Sequence, residues 1–218
     1  MITAKEIEEL STRLSNSKPT DIIQEASELW PNLAISFSGA EDVALIDMAS
    51  KMIDAPAIFT LDTGRLHGQT YEFIESVRKH YELPIETLHP DPQQLSRLIQ
   101  DKGLFSFYED GHQECCSIRK VAPLRIKLAT VDAWITGQRR DQSPTRGEVP
   151  IIQVDNTFSN RDHPVVKINP LANWSSADVW NYIRMFDVPY NQLHDAGFIS
   201  IGCGPCTRPV GPNQHERE

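Results

Sequence analysis

At 218 residues, with 39% hydrophobic and 23% charged positions, the chain has the size and composition of one ordinary globular domain. A formal charge of −9 excludes a general nucleic-acid binder, so an anionic ligand must be met by a local basic cluster. Met1 to Leu10 carries Lys5, Glu6, Glu8 and Glu9 instead of a signal-peptide apolar run, and no stretch reaches membrane-spanning length; a cytoplasmic chain with reduced thiols and no membrane partner is expected.

Residues 4–15 and 20–29 read as helices, with Thr20-Asp21 opening the second. Leu33-Ala34-Ile35-Ser36-Phe37 reads as a buried strand and 41–53 as the helix after it. The turn joining them, Ser36-Phe37-Ser38-Gly39-Ala40-Glu41-Asp42, has small residues and hydroxyls at a helix start, where N–H groups can cradle phosphate; an ordinary capped turn is the plainer alternative. A second strand, Ala57-Ile58-Phe59-Thr60-Leu61, runs into Leu61-Asp62-Thr63-Gly64-Arg65. There Asp62 can accept from a ribose hydroxyl, and Thr63 and Gly64 allow close approach, unless the segment is only a loop. A helix near 68–80, a third strand at Ile85-Glu86-Thr87-Leu88 and a helix near 93–102 follow.

Beyond the aromatic segment Phe105-Ser106-Phe107-Tyr108 comes a helix to about 129 that carries Cys115-Cys116, Arg119 and Lys120. Ala133-Trp134-Ile135-Thr136 is a fourth strand. It leads into Gly137-Gln138-Arg139-Arg140-Asp141-Gln142-Ser143-Pro144-Thr145-Arg146, whose three arginines suit bidentate recognition of phosphate or sulfate; a solvated basic loop is the alternative, and the place at a strand end favours a ligand. Val149 to Val154 and Val165 to Ile168 can form a further, antiparallel pair, and 176–186 is the last helix. Strands alternating with helices predict an α/β fold with a mostly parallel sheet flanked by helices. In such sheets ligands lie beyond the carboxyl ends of the strands, where the three polar loops fall.

All four cysteines sit in two tight pairs, Cys115-Cys116 and Cys203-Gly204-Pro205-Cys206. Brought together they supply four thiolates, enough for one tetrahedral metal ion or one iron–sulfur cluster, and spacing does not choose between zinc and iron–sulfur. Disulfides fit poorly, because adjacent cysteines cannot pair without strain and no secretory signal is visible.

Taken together these segments resemble the sulfonucleotide reductases, and within them the assimilatory adenylyl-sulfate reductases. The likeness rests on the 36–42 turn, on Leu61-Asp62-Thr63-Gly64-Arg65-Leu66 and on Glu114-Cys115-Cys116-Ser117-Ile118-Arg119-Lys120. It continues through Gly137-Gln138-Arg139-Arg140-Asp141-Gln142-Ser143, Asn169-Pro170-Leu171 with Trp174, and Asp178-Val179-Trp180, then Gly202-Cys203-Gly204-Pro205-Cys206-Thr207-Arg208-Pro209 and the final His215-Glu216-Arg217-Glu218. The resemblance implies an adenine nucleotide alpha-hydrolase-like fold with a nucleotide-binding core over about 30–200, and a C-terminal cysteine-bearing extension starting at 201. It implies a [4Fe–4S] cluster on Cys115, Cys116, Cys203 and Cys206, with Lys120 as an electrostatic bridge between cluster and substrate. It implies that adenosine 5′-phosphosulfate (APS) lies across Ser36–Asp42, Leu61, Asp62, Thr63, Gly64, Gly137, Gln138, Arg139, Arg140 and Arg146, with Arg217 closing over it. AMP and sulfite would be the products, thioredoxin or a related dithiol the electron donor, and a homo-oligomer the assembly.

One part of the family pattern is missing. The nucleophile there is a cysteine in a Glu-Cys-Gly-Leu-His segment, which forms an enzyme S-sulfocysteine; the present sequence contains no such segment and no fifth cysteine. A thiolate committed to iron is a poor nucleophile, so residues 1–218 are expected to belong to a longer reductase, to bind APS, and not to turn over alone. The alternatives are reduction of the 3′-phosphorylated substrate (PAPS) by a protein with the same cluster, an ATP pyrophosphatase-type adenylating enzyme, and a non-catalytic iron–sulfur protein.

Overall fold

The computed structural model describes residues 2–109, 111–143 and 146–209. Five apolar runs without helical periodicity become the strands Leu33–Phe37 (β1), Ala57–Leu61 (β2), Ile85–Leu88 (β3), Ala133–Ile135 (β4) and Val166–Ile168 (β6), with Ile152–Val154 (β5) beside the last. They join in the order β3-β2-β1-β4-β6-β5. All neighbours are parallel except β5 and β6, which pair antiparallel as expected, Ile152 opposite Ile168. The sheet is therefore mostly parallel, with one antiparallel edge strand.

Alternate residues of β1, β2 and β4 feed two cores, because side chains of a strand point to opposite faces. Ile35, Phe37, Ile58, Ala133 and Ile135 pack into the larger core, together with Ala4–Arg13 (α1), Pro19–Leu29 (α2), Ala40–Ser50 (α3) and Ser176–Met185 (α8). Ala34, Phe59 and Trp134 pack on the other face against Leu128, Val131 and Val165. α3 is buried almost all round, from Ala40 to Ala49, which explains its lack of an amphipathic stripe. α2 starts one residue before Thr20-Asp21, at Pro19, a residue whose fixed φ and missing N–H suit the first helical position. The remaining long helices are Gly68–Tyr81 (α4) and Pro92–Lys102 (α5).

The helix carrying the first cysteine pair is not continuous. Gln113–Cys116 (α6) passes into a π-helical turn, Ser117–Val121, before α-geometry resumes at Ala122–Leu128 (α7). Pro123 has no N–H to give to the carbonyl of Arg119, four residues back, and its ring crowds that carbonyl, so the ladder widens there. Among the described residues no helix is long and apolar enough to cross a membrane.

Candidate functional site

β1 is the strand at which chain order reverses: the connection through α3 leads to β2 on one side, while β4 lies on the other. Segments leaving the carboxyl ends of β1 and β4 diverge there, opening a crevice. Asp42, in the first turn of α3, ties both segments together. Its Oδ2 accepts from the Ser38 N–H (2.8 Å), the Ser38 hydroxyl (2.8 Å) and the Gly39 N–H (3.1 Å), and its Oδ1 from the Gly137 N–H (2.9 Å). Burial pushes this carboxyl up to about 6, the Ser38 hydroxyl resists, and the Glu41 charge adds to the rise. Gly137 has to be glycine, since a Cβ there would stand 2.5 Å from Glu41 Cβ and 2.6 Å from Asp42 Oδ1.

Between the two segments lies a cavity of about 270 Å³. Its wall includes Ser36, Ser38, Gly39, Ala40, Glu41 and Asp42 from the first loop, and Gly137, Gln138 and Arg146 from the third. Ser38 and Gly39 N–H groups are already taken by Asp42, so the amides left for an anion are those of the first turn of α3. Phe37 is not on the wall; it is buried edge-to-face on Phe73 at 5.2 Å.

Three arginines were expected around an anion, and only Arg146 lines the cavity, donating to Gln142 Oε1. Arg139 is 1% exposed. Its Nε and Nη2 donate to Glu41 Oε1 (3.2 and 3.0 Å) and its Nη1 to Asp141 Oδ2 (3.2 Å). A guanidinium out of water needs carboxylates, and here they make it a brace between the two loops. Arg140 turns the other way, to the Val149 carbonyl (2.9 Å) and Asn173 Oδ1 (2.6 Å).

The second loop is placed with the cysteines, and none of Leu61, Asp62, Thr63 and Gly64 is on the cavity wall. Asp62 accepts from the Gly64 N–H (2.7 Å) and the Tyr71 hydroxyl (2.8 Å). Burial, with the Asp62 bond and charge, pushes the Tyr71 hydroxyl up to about 12. Thr63 is buried, its Oγ1 3.2 Å from Cys203 Sγ, and its carbonyl accepts from Arg119 Nη1 at 2.6 Å. Gly64 has φ +69°, and Arg119 Nη1 would be 3.5 Å from any Cβ placed there.

Cys203 is buried, Cys115 and Cys116 are half-buried and Cys206 is exposed; all are free thiols. They lie within electrostatic reach of one another. Burial raises the Cys206 thiol, and Cys203, Cys116 and Cys115 raise it further, while Lys120 pulls it down. Burial likewise raises Cys116, and Lys120 again opposes. The Lys120 ammonium comes within 4.0 Å of the position of a Cβ on Gly202.

The segments holding the pairs are clasped by 65–67: Leu66 bridges to Cys203, and the Gly204 N–H donates to the Arg65 carbonyl at 2.7 Å. Three buried side-chain nitrogens in this region have no partner: Arg65 Nη1, His67 Nε2 and Arg119 Nε. Buried polar nitrogens left without partners are costly, and two guanidiniums among them call for an anionic acceptor. As they stand, no three His, Cys, Asp or Glu among the described residues are arranged to hold a metal ion. One zinc at about 2.3 Å from each sulfur draws thiolates to within about 4 Å of one another, whereas a cluster takes one thiolate at each corner and lets the sulfurs stand wider. The donor set, four thiols with the Lys120 ammonium among them, fits such a polyanionic group.

Gln142 of the arginine loop is also on the wall, and so are residues the sequence did not single out as site residues: Leu124, Trp134, Thr136, His194 and 199–201. His194 and Ile199 come from a stretch without periodicity, and only the fold brings them to β1. Arg217 lies outside the described residues.

The sequence matches the phosphoadenosine phosphosulfate reductase domain over residues 32–209. It is 56% identical over 215 residues to adenosine 5′-phosphosulfate reductase of Pseudomonas aeruginosa, covering 96% of this chain and 79% of that one. It is 54% identical to 5′-adenylylsulfate reductase 3, chloroplastic, of Arabidopsis thaliana, covering all of this chain and 49% of that one. Among solved structures, phosphoadenylyl-sulfate (PAPS) reductase from Candida auris superposes with a TM-score of 0.80 at 27% identity, covering 95% of this chain and 98% of that one. Candida glabrata FMN adenylyltransferase, at 17% identity and a TM-score of 0.56 over 94% of this chain and 65% of that one, shares the fold. With its crevice at the β1–β4 switch point and its cysteine pairs inside the matched span, the chain belongs to the phosphoadenosine phosphosulfate reductase family.

Proposed function

We propose that this chain is the nucleotide- and cluster-binding part of an enzyme that reduces APS to sulfite and AMP in sulfate assimilation, with a [4Fe–4S] cluster on Cys115, Cys116, Cys203 and Cys206. The observation that carries this reading is that both cysteine-bearing segments also build the cavity wall. Leu124 follows the first pair within two to three helical turns, and 199–201 run directly into Cys203. When bound, the cluster supplies a fixed polyanionic centre with a charge of about −2 beside the substrate.

The chain's own residues then divide the work. Arg146 and the first turn of α3 hold the phosphosulfate, and Asp42 keeps the two loops at a fixed separation. Lys120 stands among the thiols and offsets like charge between them and an anionic substrate. The nucleophile is a thiolate from outside these 218 residues, because all four cysteines present are ligands. Its sulfur bonds to the sulfonyl sulfur, the sulfur–oxygen bond to phosphate breaks, and AMP leaves with the electron pair. A dithiol such as thioredoxin then attacks the cysteine sulfur of the S-sulfocysteine, releases sulfite, and ends as a disulfide.

The test combines composition with turnover. About four irons and four sulfides per chain are expected, with tight AMP binding, and sulfite release only when the nucleophilic cysteine is present. Stoichiometric zinc without sulfide would sink the cluster, and sulfite release by residues 1–218 alone would sink the assignment of all four thiols.

A further inference from the structure

We propose that Glu41 selects the nucleotide: its Oε2 accepts a ribose hydroxyl and turns away a ribose that carries a phosphate at that position. This rests on the proposal that the cavity binds an adenine nucleotide. Glu41 lines the 270 Å³ cavity and also an adjoining one of about 280 Å³. Its Oε1 is saturated by Arg139 Nε, Arg139 Nη2 and Gln142 Nε2, the last at 3.0 Å. No described residue donates to its Oε2, although the side chain remains 19% exposed.

His194 lines the same two cavities. Its Nδ1 stands 2.7 Å from the Phe198 carbonyl, which can only accept, so Nδ1 holds the ring proton and Nε2 is a bare lone pair. That Nε2 is buried without a partner, and burial lowers the ring's proton affinity, keeping it neutral. Where the cavities meet, the wall therefore presents acceptors. Arg146 lines only the first cavity, and among the described residues the second has no Lys or Arg on its wall. A hydroxyl has a proton to give to such a wall. A phosphate dianion has none, and its charge has the same sign as the Glu41 carboxylate.

The experiment measures binding of AMP and of adenosine 3′,5′-bisphosphate to the cluster-loaded chain and to its Glu41→Gln variant. In that variant the same three donors hold the new amide's carbonyl where Oε1 was, so its NH₂ takes the place of Oε2 and an acceptor becomes a donor. Unmodified chain should prefer AMP by about tenfold or more, and E41Q should erase roughly a tenfold share of that preference. An unchanged ratio in a folded E41Q overturns the proposal. A second arm needs no variant: 3′-deoxy-AMP and 2′-deoxy-AMP against the unmodified chain. Loss of the 3′-hydroxyl, the position the bisphosphate probes, should weaken binding roughly tenfold, and loss of the 2′-hydroxyl less. Equal affinity for AMP and both deoxy forms overturns the proposal while leaving the cavity a nucleotide site. If neither AMP nor the bisphosphate binds, the reading of the cavity itself fails.

Discussion

Asp42 is the residue on which both walls of the cavity depend, and its protonation is linked to folding. It accepts four hydrogen bonds, which favour the carboxylate, yet burial pushes it up to about 6. The folded state thus holds the proton more tightly than an unfolded chain, whose carboxyl titrates near 3.8. Stability from this proton is complete below the unfolded value and is lost as pH rises through about 6. Between about pH 4.5 and about pH 7 the loss comes to about 2 kcal/mol. Urea unfolding of the wild type and Asp42→Asn over that range checks it. The difference in stability between the two should shift with rising pH by about that amount, and a constant difference would show that the four donors outweigh burial.

At the scale of elements, α3 is held to its neighbours by one buried carboxylate. Asp47 accepts from the Tyr182 hydroxyl (2.6 Å) on α8, the Tyr81 hydroxyl (3.1 Å) on α4 and the Lys51 ammonium (2.5 Å). Burial first, then Asp47, raises both tyrosine hydroxyls above the ordinary phenol range. Asp47→Ala strands two half-buried hydroxyls and should cost about 3 kcal/mol in chemical denaturation. Lys51→Ala should cost under about 1 kcal/mol, because that ammonium is half exposed and screened. Equal costs for the two would mean that the tyrosines find water when Asp47 is gone. Such a network was invisible in the sequence, since Asp47 and Tyr182 are separated by more than a hundred positions. The strands were legible for the opposite reason: apolar runs such as Leu33–Phe37 declare themselves locally. The arginine loop stands between these cases. Its place after β4 was readable, but nothing in Arg139-Arg140 says which guanidinium meets Glu41 and which meets Asn173. The loop after β2 is read from its place at a strand end, but its contact with Cys203, 140 positions away, is set by the fold and has no local signal.

Across the whole molecule, a net charge of −9 is combined with one cation, Lys120, among the thiols, and with buried guanidiniums of Arg119, on the first cysteine segment, and Arg65, on the strip that clasps the second. On the proposed reading, that local positive charge lets an acidic chain hold a polyanionic group beside an anionic substrate. The proposed cluster and nucleotide sites also share one segment. Among the described residues, the stretch 199–209 is held to the rest by few bonds: the Leu66–Cys203 bridge, the Thr63 hydroxyl on Cys203 Sγ, the Gly204 N–H to the Arg65 carbonyl, and the Tyr108 hydroxyl to the Pro205 carbonyl at 2.8 Å. The same stretch supplies Ile199, Ser200 and Ile201 to the cavity. Ligation of Cys203 and Cys206 would add a covalent tie across it. Cys206→Ser should therefore lower iron content and weaken AMP binding together, the second by about tenfold, although Cys206 is not on the cavity wall. Calorimetric titration of AMP against loaded and Cys206→Ser protein decides it. Equal AMP affinities would show that the cavity closes without help from the thiols, and the two sites would then be neighbours without linkage.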